Sequence, residues 1–162
     1  MIPFHSLLPE VAQREVRCLH LEASQDSTAE LELPADEYLY VEYYCDDLDC
    51  DCRRVLLEII AANQPNKIFA TISYGWEKEK FYRKRIPWDP ESAKGTVRGE
   101  LDPLNEQSEF AEDFLDLFKQ FVLDEPYRLR LRRHYQMFRE ELARRGAPGE
   151  SSTDCGPQTA AT

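Results

Sequence analysis

Three stretches in the first half of the chain are dense in branched and aromatic residues, with polar residues between them. Residues 38–44 read Tyr-Leu-Tyr-Val-Glu-Tyr-Tyr, residues 53–62 read Arg-Arg-Val-Leu-Leu-Glu-Ile-Ile-Ala-Ala, and residues 67–74 read Lys-Ile-Phe-Ala-Thr-Ile-Ser-Tyr. Such runs favour strands, because these side chains pack well on a pleated, half-buried surface. Asn63-Gln64-Pro65-Asn66 separates the second run from the third and is a turn sequence. The three runs together predict an antiparallel β-meander. Residues 15–22 form a weaker strand candidate upstream, and residues 29–33 a shorter one within a polar loop spanning 23–37. Residues 1–13 read as an irregular lead-in.

The pattern changes period in the second half. Residues 76–85 read as a short charged helix, which Pro87 and Pro90 then stop for want of amide donors. Residues 86–107 read mostly as loop, with a short strand near 96–101. Ser108 is a suitable N-cap, and Phe110, Phe114, Leu117, Phe118 and Phe121 then fall on one helical face. Pro126 suits a first helical turn and opens a second helix. Its apolar face carries Tyr127, Leu131, Tyr135, Phe138 and Leu142, and Gly146 and Pro148 end it.

The expected fold class is therefore α+β: an antiparallel β-meander with a C-terminal antiparallel helix pair packed on it. Residues 1–145 are expected to form a single domain. Residues 146–162 are small and polar, with too little apolar surface to offset the entropy of ordering, and are expected to be a disordered tail.

Charge adds a partner argument. The net charge is −11, and residues 1–52 account for all of it, with 13 Asp/Glu against 2 Lys/Arg. Nucleic acid binding rests on neutralising phosphates, so nucleic acid is not an expected partner despite the Arg-rich run at 128–133. Those arginines are instead expected to face the acids of residues 100–125, where nine acidic groups accompany one lysine. An acidic face suits solubility or a basic protein partner. No run approaches the roughly 20 apolar residues needed to span a bilayer, so no membrane role is expected. The N-terminal ten residues lack the pattern of a signal peptide, and five cysteines cannot all pair. Both features suit a reducing cytoplasmic setting.

The densest chemistry lies in Cys45-Asp46-Asp47-Leu48-Asp49-Cys50-Asp51-Cys52, between the first two strands of the meander. Three thiols in the spacing Cys-x4-Cys-x-Cys suit a soft divalent ion, zinc above all, which prefers sulfur and imidazole in a tetrahedron. Arg53 and Arg54 follow and could offset the charge of a thiolate-rich site. The aspartates are expected to face solvent or bond loop amides rather than bind the ion. A fourth ligand is missing locally. His134 is the leading candidate, on the inward side of the last helix. Cys18 and His20 are rivals on one face of the first strand. His5 is more remote, and Cys155 falls in the expected tail.

The segment from Tyr43 to Val55, Tyr-Tyr-Cys-Asp-Asp-Leu-Asp-Cys-Asp-Cys-Arg-Arg-Val, resembles a signature of uncharacterised bacterial proteins. That group shares a later segment like Tyr127-Arg128-Leu129-Arg130-Leu131-Arg132-Arg133-His134-Tyr135 and is similar in part to SEC-C type zinc-motif proteins. The chain departs from the SEC-C pattern, since its Cys-x-Cys is followed by no Cys-His or Cys-Cys pair. The resemblance carries no activity; what it implies is a zinc site of Cys45, Cys50, Cys52 and His134.

Three functions fit these residues. The first is a zinc-stabilised binding or accessory module. The second is a zinc-dependent hydrolase with water in the fourth position and Asp47 or Glu42 as general base. The third is a thiol redox or metal sensor. No phosphate-cradling loop, nucleophile elbow, His-Glu-x-x-His or dinucleotide fingerprint occurs in the chain.

Overall fold

A computed structural model of the chain describes residues 1–22 and 33–146. The expected strand at 29–33 and the expected tail lie outside the described residues, apart from Leu33 and from Gly146, which closes the last helix. The fold is α+β. Six strands form one antiparallel sheet: β1 (Ile2–Pro3), β2 (Arg17–Leu21), β3 (Asp36–Tyr44), β4 (Arg54–Ala61), β5 (Gln64–Gly75) and β6 (Glu100–Leu101). β3, β4 and β5 are the expected meander. β6 lies on the far edge of β5, and β1 and β2 share the other edge of β3.

Alternation along the strands gives the sheet one buried face. Tyr38, Tyr40, Glu42 and Tyr44 on β3 are buried, as are Val55, Leu57, Ile59 and Ala61 on β4, while the residues between them are partly exposed. The C-terminal helices cover this face. Phe114 of α4 (Ala111–Leu117) packs on Tyr38 and Phe69. Phe118 opens a π-helical turn (Phe118–Val122) and meets Tyr40 and Tyr74. Tyr135 and Phe138 of α5 (Glu125–Gly146) pack on Tyr44. Asp124 starts α5 by accepting a hydrogen bond from the Tyr127 amide at 2.8 Å.

Several elements differ from the sequence-based expectation. The lead-in contains a helix, α1 (Pro9–Glu15), with Pro9 in its first turn. The charged segment yields only α2 (Glu79–Arg83). The expected loop at 86–107 contains α3 (Pro90–Arg98), whose Asp89 side chain caps the Ser92 amide at 3.1 Å. Asp89-Pro90 is thus a start signal and not a stop, because proline fits the first turn, where its missing amide has no partner to lose. Pro65 lies within β5 and not in a turn. The register slips there, from Ile60 opposite Ile68 to Ala61 opposite Gln64, so the bulge absorbs the residue that cannot donate. Ser108 sits two residues ahead of Phe110, the N-cap position of α4; its hydroxyl accepts the Phe110 amide at 3.2 Å and donates to the Phe69 carbonyl at 2.6 Å, tying the helix start to β5.

The expected acid-to-base pairing between the last two helices is not what the structure contains. Among the described residues, Glu109, Glu112, Asp113 and Asp116 form no ion pair. Burying Phe114, Leu115 and Phe118 turns most of these acids to solvent. Arg133 pairs with Glu15, and Arg144 and Arg145 pair with Glu141 of their own helix. Among the described residues, no helix is long and apolar enough to cross a membrane.

One glycine positions the end of the cysteine loop. A Cβ on Gly75 would overlap the Tyr82 hydroxyl, and that hydroxyl donates to the Arg53 carbonyl at 2.7 Å. Gly75→Ala should therefore destabilise the fold by about 1–3 kcal/mol, the usual cost of overpacking. A urea midpoint unchanged from wild type would contradict this close approach.

Candidate metal centre

The loop between β3 and β4 is folded by its own polar residues. Asp47 accepts the Asp49 amide on its side chain at 2.9 Å and the Cys50 amide on its carbonyl at 3.2 Å. This turn carries Cys50 back toward Cys45. Arg53 then adopts φ 45°, a left-handed conformation uncommon outside glycine, and so reverses the chain into β4. The Tyr82 hydroxyl holds the carbonyl of that residue. From α5, the Arg139 guanidinium donates to the Asp47 and Leu48 carbonyls.

These restraints bring three expected ligands together. The Sγ atoms of Cys45, Cys50 and Cys52 all lie within 4.8 Å of one another, and each residue is half-buried. Sulfurs about 2.3 Å from a tetrahedral ion stand about 3.8 Å apart, so a small contraction of the loop would bind one. The donor set and its spacing thus fit a metal ion. Burial pushes the Cys52 thiol up to about 12, and the neighbouring Cys45 and Cys50 add to the shift. A thiol so disfavoured as thiolate is a poor nucleophile unless a cation stabilises it.

The aspartates behave as expected. Asp46, Asp47, Asp49 and Asp51 are exposed, and none joins the sulfur group. Asp51 accepts from Arg53 at 2.6 Å and from Arg85 at 3.0 Å, while Arg53 also reaches Glu77 at 3.2 Å. Arg53 is therefore engaged by carboxylates rather than turned to the thiols, and Arg54 is the first residue of β4.

His134 is not placed with the three cysteines; its ring nitrogens are taken by carboxylates. Its Nδ1 lies 2.8 Å from Glu42 Oε2 and its Nε2 lies 3.3 Å from Glu15 Oε2. Phe4 stacks on the ring with centroids 4.5 Å apart, leaving the side chain 1 % exposed. From α5, Arg139 hydrogen-bonds the loop, and Arg132, Tyr135 and Gln136 line a pocket with Cys50 and Asp51, whereas His134 turns to Glu42 and Glu15. Cys18 and His20 are exposed on β2 and do not join the thiol group, and His5 is exposed beside Phe4. Cys155 lies outside the described residues.

Glu15, Tyr82 and Arg139 escaped the sequence-based reading. Gly75 beside an aromatic segment was the available signal for Tyr82, since a conformationally free residue at a strand end marks a close approach. Glu15 and Arg139 act through distant backbone and side-chain partners, for which no local pattern exists. No protein-family model, no curated protein and no solved structure matches the chain.

The His134 contacts carry two predictions. Removing one partner of a buried hydrogen bond leaves the other group unsatisfied, at about 1–3 kcal/mol. His134→Ala should lower the unfolding free energy by at least that order in urea titrations, and a loss below about 0.5 kcal/mol would contradict a structural role. The second concerns pH. Burial tends to raise the Glu15 carboxyl, but His134 and Arg133 outweigh it and hold the group below its ordinary 4.5. A depressed carboxyl stabilises the fold fully above its unfolded value and loses that contribution as pH falls through the folded value. The stability gap between wild type and Glu15→Gln should therefore hold down to the ordinary 4.5 and shrink as pH falls below it. A gap that stays constant below that value would contradict the assignment.

Proposed function

We propose that the protein is a zinc-stabilised binding module whose ion fixes the connection between β3 and β4. The convergence of Cys45, Cys50 and Cys52 carries this reading. Zinc suits the site because it is redox-inert, takes thiolate readily and needs no particular field geometry. Displacing thiol protons by a dication would close a loop in which four aspartates lie within six residues. The resemblance of residues 43–55 to cysteine-rich zinc-motif proteins points the same way.

The module acts by presenting a surface rather than by turning over a substrate. The exposed Asp46, Asp47 and Asp49 form the tip of the loop, with the half-exposed Leu48 among them. A loop of fixed shape with that charge would recognise a basic protein segment, at rates that fall with ionic strength. The high position of the Cys52 thiol disfavours nucleophilic chemistry at the same site.

Native mass spectrometry of protein purified without added metal tests the reading. One zinc per chain is expected for wild type and for His134→Ala in whatever fraction stays folded. Cys50→Ser should lose the ion. A folded, metal-free wild type, or a Cys50→Ser variant with full zinc content, would overturn the proposal.

A further inference from the structure

The edge of β3 is covered in two pieces. β2 pairs with it as far as Tyr40 and β1 pairs with Tyr43 and Tyr44, which leaves Val41 and Glu42 with no strand on that side among the described residues. The chain between β1 and β2, a 3-10 turn (Phe4–Ser6) followed by α1, bridges this gap. Beneath it lies a cavity of about 310 Å³, at the lower end of the range for small-molecule sites. Phe4, Pro9, Ala12, Val16 and Val41 give it apolar walls. Tyr40, Glu42 and His134 line it from the buried side, and Glu15 lines it beside α1.

The polar floor is rich in carboxyl groups. The two His134 ring nitrogens face Glu42 on one side and Glu15 on the other, so one imidazole serves two carboxyl groups. Neither lysine nor arginine lines the cavity; Arg14 and Arg133 pair with Glu15 without joining its lining.

One hydrogen-bonding group remains open there. The Tyr44 hydroxyl and His134 Nδ1 both engage Glu42 at Oε2, and Oε1 makes no hydrogen bond among the described residues. A buried acceptor is normally satisfied, so an unpaired carboxyl oxygen on a residue that lines an empty volume is a site for something that donates.

We propose that this cavity binds a small primary amine with an apolar or aromatic body, its ammonium group donating to Glu42 Oε1. The body lies against Phe4, Pro9 and Val16. Two carboxyl groups in the lining favour a cation, and the lack of a lysine or arginine in the wall leaves a carboxylate ligand without a counter-charge. A ligand with no donor would fill the walls but leave Glu42 Oε1 unpaired. The site is separate from the cysteine loop and does not depend on its metal.

Titration of the ¹⁵N-labelled full chain with 2-phenylethylamine, 2-phenylethanol and 3-phenylpropionate tests this by amide chemical shifts. The amine should give saturable shifts at Val16 and Val41, and the alcohol should bind at least about tenfold more weakly, a difference of about 1.4 kcal/mol. The carboxylate should not saturate. Glu42→Gln should reduce amine affinity to that of the alcohol, and Ala12→Phe, which fills the cavity without touching its polar floor, should abolish binding of the amine and the alcohol. If Glu42→Gln fails to fold, the amine-to-alcohol ratio and Ala12→Phe still decide. Equal binding of the three probes, wild-type amine affinity in Ala12→Phe, or no saturable shift by about 10 mM amine, a Kd weaker than about −2.7 kcal/mol, would overturn the proposal.

Discussion

Glu42 of β3 and His134 of α5 meet at 2.8 Å, both buried. A buried carboxyl group is tolerated only with partners, and Tyr44 and His134 supply them. Tyr44, two residues along the same strand, shares its hydroxyl proton between Glu42 at 2.8 Å and the Leu131 carbonyl at 3.1 Å. The last helix is thereby fixed to β3 in position along its axis and not only in distance. Phe4 and Glu15 close the other side of the imidazole, so the N-terminal segment is held by the same histidine. Breaking the contact would loosen the sheet edge, the long helix and the lead-in together.

This seam also sets what happens at the cysteine loop. With His134 held by Glu42 and Glu15, α5 brings a different residue to the loop: Arg139 binds the Asp47 and Leu48 carbonyls. On the other side, Tyr82 fits against Gly75 and holds the Arg53 carbonyl. The loop is thus braced from both flanks by backbone contacts, while its own Asp47 makes the turn that gathers the sulfurs. An ion added to such a loop completes a shape that the protein has already largely formed. That suits a structural role, in which the metal stiffens a charged tip.

The meander and the last helix were legible in the sequence because their signals are local. β3 and β4 alternate cleanly, and the buried positions Tyr127, Leu131, His134 and Phe138 repeat at helical spacing. The thiol cluster was legible for the same reason, its three members lying within eight residues. α3 is hidden from a local reading because Pro90 taken alone is a breaker, and only with its capping neighbour Asp89 does it start a helix. α1 leaves little signal because it is short, lacks a side-chain cap and buries no residue fully. The role of His134 depends on partners 92 and 119 residues away, and helix periodicity reports only that it faces inward. An inward histidine near a thiol cluster invites ligation in a one-dimensional reading, and only the sheet register reveals that Glu42 reaches it first.

The central claim is that any ion here is held by three sulfurs and no histidine, because His134 belongs to the Glu42 seam. X-ray absorption at the zinc edge on zinc-loaded protein tests it most directly, since imidazole leaves a distinct outer-shell pattern. The account predicts three sulfur neighbours at about 2.3 Å, one lighter oxygen or nitrogen neighbour and no imidazole scattering. A spectrum showing three sulfurs with one imidazole, lost in His134→Ala, would contradict it.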